Sequence, residues 1–305
     1  MFLQNLGIKM ISKEKNYILS LETSGVTCGV AISNGKNILA EYSIYMSNQH
    51  DRLLAELTRR ILKDVGISLN DLSAVAVSAG PGSFTGLRIG AALAKGLCYD
   101  GNPKFIAIPT LSAFAYHSHE LAELTDSKRI IAAISSHKDL MYYQIFSLNI
   151  KSRQVDAEHS IPPLFKVGLD DAEPSIPPLS KVGLDDAEHS IPPLSNHESE
   201  SAEVNIPPLS KRGLGGVVHK VPPINPLTDI TMIKSEEFLK IIEKDDLVCG
   251  SLIFDIENAK HYTPEMKLSP TIIAEYANYC FQQGLFEDPV TFKPLYVQEF
   301  VPKGV

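Results

Sequence analysis

The sequence predicts an α/β protein in which one scheme of short strands and helices is laid down twice. Three observations carry this. Short apolar runs at 17–21, 28–33 and 38–46 open the chain and are followed by helix, strand, helix and strand patterns. A glycine-rich turn, Gly80-Pro81-Gly82-Ser83-Phe84-Thr85-Gly86-Leu87-Arg88-Ile89-Gly90, joins an apolar run at 74–79 to a helix-like run at 86–99. After the apolar run 105–108 the alternation resumes, broken by a tandem repeat.

Each element has a local reason. Asn34-Gly35 is a strong hairpin signal between the second and third strands. Between 51 and 65 the aliphatics Leu53, Leu54, Leu57, Ile61, Leu62 and Val65 fall at helical spacing, with Arg52, Glu56, Arg59, Arg60 and Lys63 on the remaining surface. Residues 110–124 read as one helix. The stretches 130–135 and 141–148 read as a strand pair around His137-Lys138-Asp139, and 229–233 as a further strand. Ser235 is placed to cap a helix whose first turn carries Glu236 and Glu237, which suits the helix dipole. A short strand at 247–249 and a helix over 271–283, starting just after Pro270, complete the pattern.

The glycine turn has two physical uses. Glycine admits positive φ and close backbone approach, and a helix start exposes N–H groups that take an anion or a capping side chain. Pro81-Gly82 suits the centre of a type II turn. Ser83 or Thr85 supplies the N-cap oxygen. The same features serve a strand-to-helix connection without any ligand, because the string is neither the phosphate-binding loop ending in Gly-Lys-Ser/Thr nor the dinucleotide fingerprint. On the helix that follows, Gly86, Gly90 and Ala94 recur every four residues as a smooth ridge, suited either to its own core or to a partner helix. Arg88 stands in the first turn, where the dipole disfavours a cation, so an acidic partner is expected in cis or in trans.

Composition narrows the function. The chain has 305 residues, enough for two domains, and its net charge of −8 gives no global basic surface for gripping nucleic acid. Cys28, Cys98, Cys249 and Cys280 form no C-x-x-C pair and are expected as reduced, buried thiols in a cytoplasmic protein. No apolar stretch is long enough to span a membrane. Residues 1–16 are expected as a loose extension, with Met10 an alternative start.

The interruption is a repeat of period 15. Ile161-Pro162-Pro163-Leu164 returns at Ile176, Ile191 and Ile206 and, degraded, as Val221-Pro222-Pro223-Ile224. Three aliphatic side chains per unit fall well short of the entropy of ordering fifteen residues, and the Pro-Pro pairs favour extended polyproline II. A mostly disordered insertion over 151–228 is expected. It is tolerable because a fifteenfold longer loop costs only ~2–3 kcal/mol to close. The alternative is a repeated docking motif for a separate partner.

The glycine string resembles the signature of the TsaB (YeaZ-like) family of bacterial tRNA threonylcarbamoyladenosine biosynthesis proteins. Tyr17-Ile18-Leu19-Ser20-Leu21-Glu22-Thr23-Ser24 resembles its opening strand and turn, Gln49-His50-Asp51-Arg52-Leu53-Leu54 the start of its first helix, and Ala94-Lys95-Gly96-Leu97 the end of its second. Lys293-Pro294-Leu295-Tyr296-Val297 resembles its closing strand. The resemblance covers roughly 17–150 and 229–305. It implies two actin-like, Hsp70-like (ribonuclease H-like) subdomains, an N-terminal one over 17–108 and a C-terminal one over 109–150 and 229–305.

The resemblance further implies a non-catalytic subunit that binds and supports a TsaD-like catalytic subunit. That subunit adds threonylcarbamoyl to the adenosine beside the anticodon of tRNAs reading codons that begin with A. A TsaE-like ATPase is the expected third member, tRNA is met only through the complex, and self-association is possible through the same helices. On this reading Arg52, Gly86, Arg88, Gly90 and Ala94 form the partner interface, and Gly80, Pro81, Gly82, Ser83 and Thr85 form the glycine turn. No cofactor, metal or catalytic residue is expected. Glu22 is read as a turn carboxylate bonded to nearby backbone and His50 as a surface or capping residue. The turn around 135–140 holds no glycine and one carboxylate, Asp139, too little for an ATPase site. The H-x-x-x-H metal motif of TsaD has no counterpart in Ile108-Pro109-Thr110-Leu111-Ser112-Ala113-Phe114, and His117 and His119 are two apart. Ser135-Ser136-His137 departs from the Asp-Ala-Arg turn usual in the family. The alternatives are an independent metallopeptidase or phosphotransferase of the same superfold, or an interaction protein acting through its repeat.

Overall fold

The structure, a computed structural model, describes residues 16–46, 49–136, 139–149, 223–253, 256, 259, 261–263 and 266–296. The N-terminal extension up to residue 15, His137 and Lys138, most of the repeat and Val297 lie outside the described residues.

The first sheet contains β1 (Tyr17–Glu22), β2 (Thr27–Asn34), β3 (Asn37–Tyr45), β4 (Leu72–Gly80) and β5 (Lys104–Pro109), in the spatial order β3-β2-β1-β4-β5. The β1–β2 and β2–β3 pairs are antiparallel, and β4 and β5 continue in parallel. The β2–β3 hairpin closes through Gly35-Lys36, with Gly35 at φ 59°, between paired Asn34 and Asn37. Two helices connect the parallel strands: α1 (His50–Val65), closed by Gly66 in the left-handed region, and α2 (Phe84–Leu97).

The second sheet repeats the order. It contains β6 (Arg129–Ser135), β7 (Leu140–Leu148), β8 (Ile224–Pro226), β9 (Thr231–Lys234), β10 (Asp246–Ser251) and β11 (His261–Thr263), arranged β11-β10-β6-β7-β8 with β9 also paired to β7. Again the first pair, β6–β7, is antiparallel and β10 and β11 follow in parallel.

Alternation along the strands assigns every face. Leu19, Leu21, Val75 and Val77 pack under α1 and α2, while Ile18, Ala74, Ala76 and Ile106 face the other way. There they share a core with Ile130, Ala132, Phe146, Leu247 and Cys249 of the second sheet. The helices α3 (Thr110–His117) and α6 (Pro270–Gln282) contribute Leu111, Phe114, Ile273 and Ala277 to that core. The outer face of the second sheet buries Ile131, Ala133 and Val248 with Phe238 of α5 (Ser235–Ile241). Helix, sheet, helix, sheet and helix therefore succeed one another as layers. Arg129 ties β6 to Asp246 of β10 through two hydrogen bonds of 2.9 and 2.7 Å. No helix among the described residues is long and apolar enough to cross a membrane.

Several expectations are corrected. The helix expected over 110–124 is two, α3 and α4 (His119–Leu124), parted at Ser118, with the His119 ring turned back to the Tyr116 carbonyl. Residues 223–228 belong to the second sheet and not to the insertion: β8 pairs with β7, Ile224 is buried, and Thr228 Oγ1 accepts from the Ile145 N–H at 3.1 Å. Residues 293–296 form no strand. One hydrogen bond, from Leu295 N–H to the Ala79 carbonyl at 2.8 Å, lays them along β4. The N-cap of α5 is Lys234, with Ser235 as the first helical residue.

Candidate functional site: the glycine turn and the outer helical face

The glycine string forms the end of β4, a tight turn and the start of α2. Ser83 is the N-cap, its Oγ accepting from the Gly86 N–H at 3.3 Å. The type II turn expected at Pro81-Gly82 is not formed. Positive φ falls on Gly80, at 102°, and not on Gly82, and the Gly80–Pro81 peptide is cis. What fixes the turn is the loop between β1 and β2. The Ser83 N–H donates to the Ser24 carbonyl at 2.6 Å. A Cβ on Gly82 would lie 2.3 Å from the Ser24 oxygen, one on Gly86 2.0 Å from the Thr23 oxygen, and one on Gly90 2.3 Å from Thr23 Oγ1. These glycines admit other parts of the protein itself. The space at Gly82 and Gly86 is filled by carbonyl oxygens, which repel an anion, and that at Gly90 by the Thr23 hydroxyl.

This corrects the reading of the ridge as a partner surface. Gly86, Gly90 and Ala94 are buried within the chain. The exposed face of α2 carries Thr85, Arg88, Ala92 and Gly96, and that of α1 carries Arg52, Ala55, Glu56 and Arg59. Arg88 has no carboxylate partner among the described residues. Its guanidinium carbon stands 3.8 Å from the Phe84 ring centroid and 5.5 Å from that of Tyr296, and its Nε donates to Tyr296 Oη at 3.4 Å. The in-cis partner of this cation is aromatic, which meets the unfavourable dipole with ring quadrupoles.

The first residue of β2 anchors α1. His50 is buried, and its Nε2–H donates to the Thr27 carbonyl at 3.1 Å, so it is neither a surface nor a side-chain capping residue. Beneath the loop, Glu22 is fully buried. Its Oε1 accepts from the Ser24 N–H at 2.6 Å and the Ser24 hydroxyl at 2.7 Å, the local bonding expected of it. Burial outweighs those bonds and pushes its carboxyl up to about 8, so it is held protonated at neutral pH. Burial likewise pushes the Cys28 thiol up to about 11 and those of Cys98, Cys249 and Cys280 to about 12, so all four are weak nucleophiles. His117 and His119 diverge, His117 to Glu275 of α6 at 2.7 Å and His119 to the Tyr116 carbonyl of α3.

Sequence reasoning missed Thr23 and Ser24 as the groups the glycines accommodate, and it missed the Phe84–Arg88–Tyr296 stack. Only the coincidence of three glycines at 82, 86 and 90 signalled that something approaches closely.

An α/β chain of two matched sheets, the first covered outside by two long helices, defines the class. The family model for TsaD, tRNA N6-adenosine threonylcarbamoyltransferase, matches residues 38–158. The chain is 35% identical to the TsaB tRNA threonylcarbamoyladenosine biosynthesis protein of Bacillus subtilis over 98 residues, 32% of this chain and 43% of that protein. It is 32% identical to TsaB of Escherichia coli over 126 residues, 41% of this chain and 53% of that one. The matched part spans about half the length of these curated relatives. YeaZ from Pseudomonas aeruginosa superimposes with a TM-score of 0.58 at 15% identity, covering 92% of this chain and all of that one. Over part of its length the chain is similar in sequence to TsaB proteins, and it has the fold of YeaZ.

Proposed function

We propose that this chain is a non-catalytic subunit in the formation of threonylcarbamoyladenosine on tRNA, presenting the outer face of α1 and α2 to a TsaD-like catalytic subunit. The similarity to TsaB proteins carries the reading. Geometry supports it. Helix α2 is seated against the β1–β2 loop by its glycines and α1 is tied to the first residue of β2 through His50, so their outer face is pre-organised for docking. The interface residues on this reading are the exposed Arg52 and Arg88, while Gly86, Gly90 and Ala94 act indirectly by seating α2. A TsaE-like ATPase completes the assembly, tRNA is met through it, and the acidic chain itself contributes little to RNA affinity. The same face serves self-association when the partner is absent.

Co-purification with a TsaD-like subunit, with tRNA modification assayed with and without this chain, is the test. Complex formation and dependence of modification on the chain are expected. Failure to associate would remove the proposal. Arg88→Glu is expected to break the complex without unfolding the protein, and its retention in a pull-down would remove Arg88 from the interface.

A further inference from the structure

The outer face of α2 carries a single charge. Its exposed residues are Thr85, Arg88, Ala92 and Gly96, and the helix holds no carboxylate. Its other cation, Lys95, is turned to the Phe292 carbonyl, to which Nζ donates at 2.7 Å. On α1 the guanidinium groups of Arg59 and Arg60 meet Glu56 and Asp64 of the same helix. Arg88 has no such carboxylate among the described residues, yet its side chain is held. The guanidinium carbon sits over the Phe84 ring, one helical turn earlier, at 3.8 Å from the centroid, and the Nε–H goes to Tyr296 Oη. Tyr296 is itself held from outside the helix. The Leu295 N–H donates to the Ala79 carbonyl at 2.8 Å, and the buried Phe292 ring packs on Phe105 with centroids 4.9 Å apart. A strap arriving from beyond α6 therefore orients a cation on α2.

A guanidinium has five N–H donors and no acceptor. Tyr296 takes one of them, and the four on Nη1 and Nη2 have no acceptor among the described residues. Stacking sets the plane in which they point, so little side-chain freedom is left to lose on binding. Two terminal nitrogens in one plane match the two oxygens of a carboxylate. A covering surface without an acceptor there would leave a desolvated charge unpaired. We infer that Arg88, oriented by Phe84 and Tyr296, is a preformed fork for one carboxylate of the docked subunit, with Tyr296 as its positioning residue. The inference rests on the docking proposed above and names what the partner brings to it: an aspartate or glutamate whose carboxylate lies in the guanidinium plane.

The test is calorimetric titration of the full chain with a TsaD-like subunit. Arg88 is exposed, so its substitution leaves the core intact. Arg88→Lys keeps the charge and loses the fork, and is expected to weaken the complex about tenfold or more, close to the effect of Arg88→Ala. Tyr296→Ala is expected to weaken it several-fold, Tyr296→Phe to recover most of that loss, and Tyr296→Ala to add nothing in an Arg88→Ala chain. Replacing the partner's exposed Asp and Glu residues singly by Asn and Gln is expected to reveal one carboxylate whose removal has no further effect once Arg88 is alanine. No binding by the parent chain would overturn the docking proposal and this inference with it. Parent binding that Arg88→Lys leaves unchanged, or no partner carboxylate coupled to Arg88, would overturn the fork alone. Additive losses at 88 and 296 would overturn the positioning role of Tyr296.

Discussion

The two sheets share an inner helical layer and differ in what covers them outside. Over the first lie α1 and α2, of 16 and 14 residues, α2 clamped to the β1–β2 loop and α1 tied to the start of β2. Over the second lies α5, of 7 residues. The loops at corresponding places differ as well. The first buries Glu22 and receives three glycines, whereas the second, around 135–140, has no glycine and an exposed Asp139. One strand scheme therefore carries two outer surfaces, and among the described residues only the first offers a long, fixed helical face. The matched region of the TsaD family model, 38–158, includes that face.

The largest test of this asymmetry is electrostatic. Below pH 4.5 Glu22 is protonated whether the chain is folded or not. Between 4.5 and about 8 the unfolded chain ionises and the folded one does not, so the fold loses stability as pH rises through that window. At 1.36 kcal/mol per pH unit the loss approaches about 5 kcal/mol. Glu22→Gln cannot ionise. Its unfolding free energy relative to the parent should rise by about that amount between pH 4.5 and 9, measured by denaturant titration. A flat difference would show that the buried carboxyl is not protonated.

A second comparison separates docking from stability. Gly86→Ala drives a Cβ into the Thr23 carbonyl, and Gly250→Ala in the second sheet drives one to 1.9 Å from the Ala133 oxygen at a φ of 133°. Each should cost about 3 kcal/mol in thermal or chemical unfolding. Measured on the folded fraction, binding of a TsaD-like subunit should fall for Gly86→Ala alone. Equal losses for the two would break the division between surfaces. The smallest expected effect is a gain. Gly96 lies in the exposed part of α2, where an added Cβ would meet nothing within 4 Å, so Gly96→Ala should stabilise the chain by up to about 1 kcal/mol. A loss would mean that α2 is not free on that side.

Much of this architecture could be read from local pattern. The strands of the first sheet are apolar runs, α1 has a clean helical period, and Ser83 and Ser269 are capping residues placed where they act. What escaped depends on distance along the chain. The glycines at 82, 86 and 90 meet residues some sixty positions earlier, and Arg88 meets a ring 208 residues away. Neither has a periodic signature. The strand β11 is three residues, His-Tyr-Thr, too short and polar to register as apolar, and it exists because β10 offers it an edge.

At the edge of the second sheet the Asn149 N–H donates to the Pro223 carbonyl at 2.9 Å, so the chain departs and re-enters through one hydrogen bond. Whatever lies between those two positions has its ends already joined, and its length alters only a slowly growing entropic term. Copies of a fifteen-residue unit can be gained or lost there without shifting strand register. The same junction is suited to splicing in a fluorescent reporter or an affinity handle, with the α1–α2 surface left untouched on the opposite side of the first sheet.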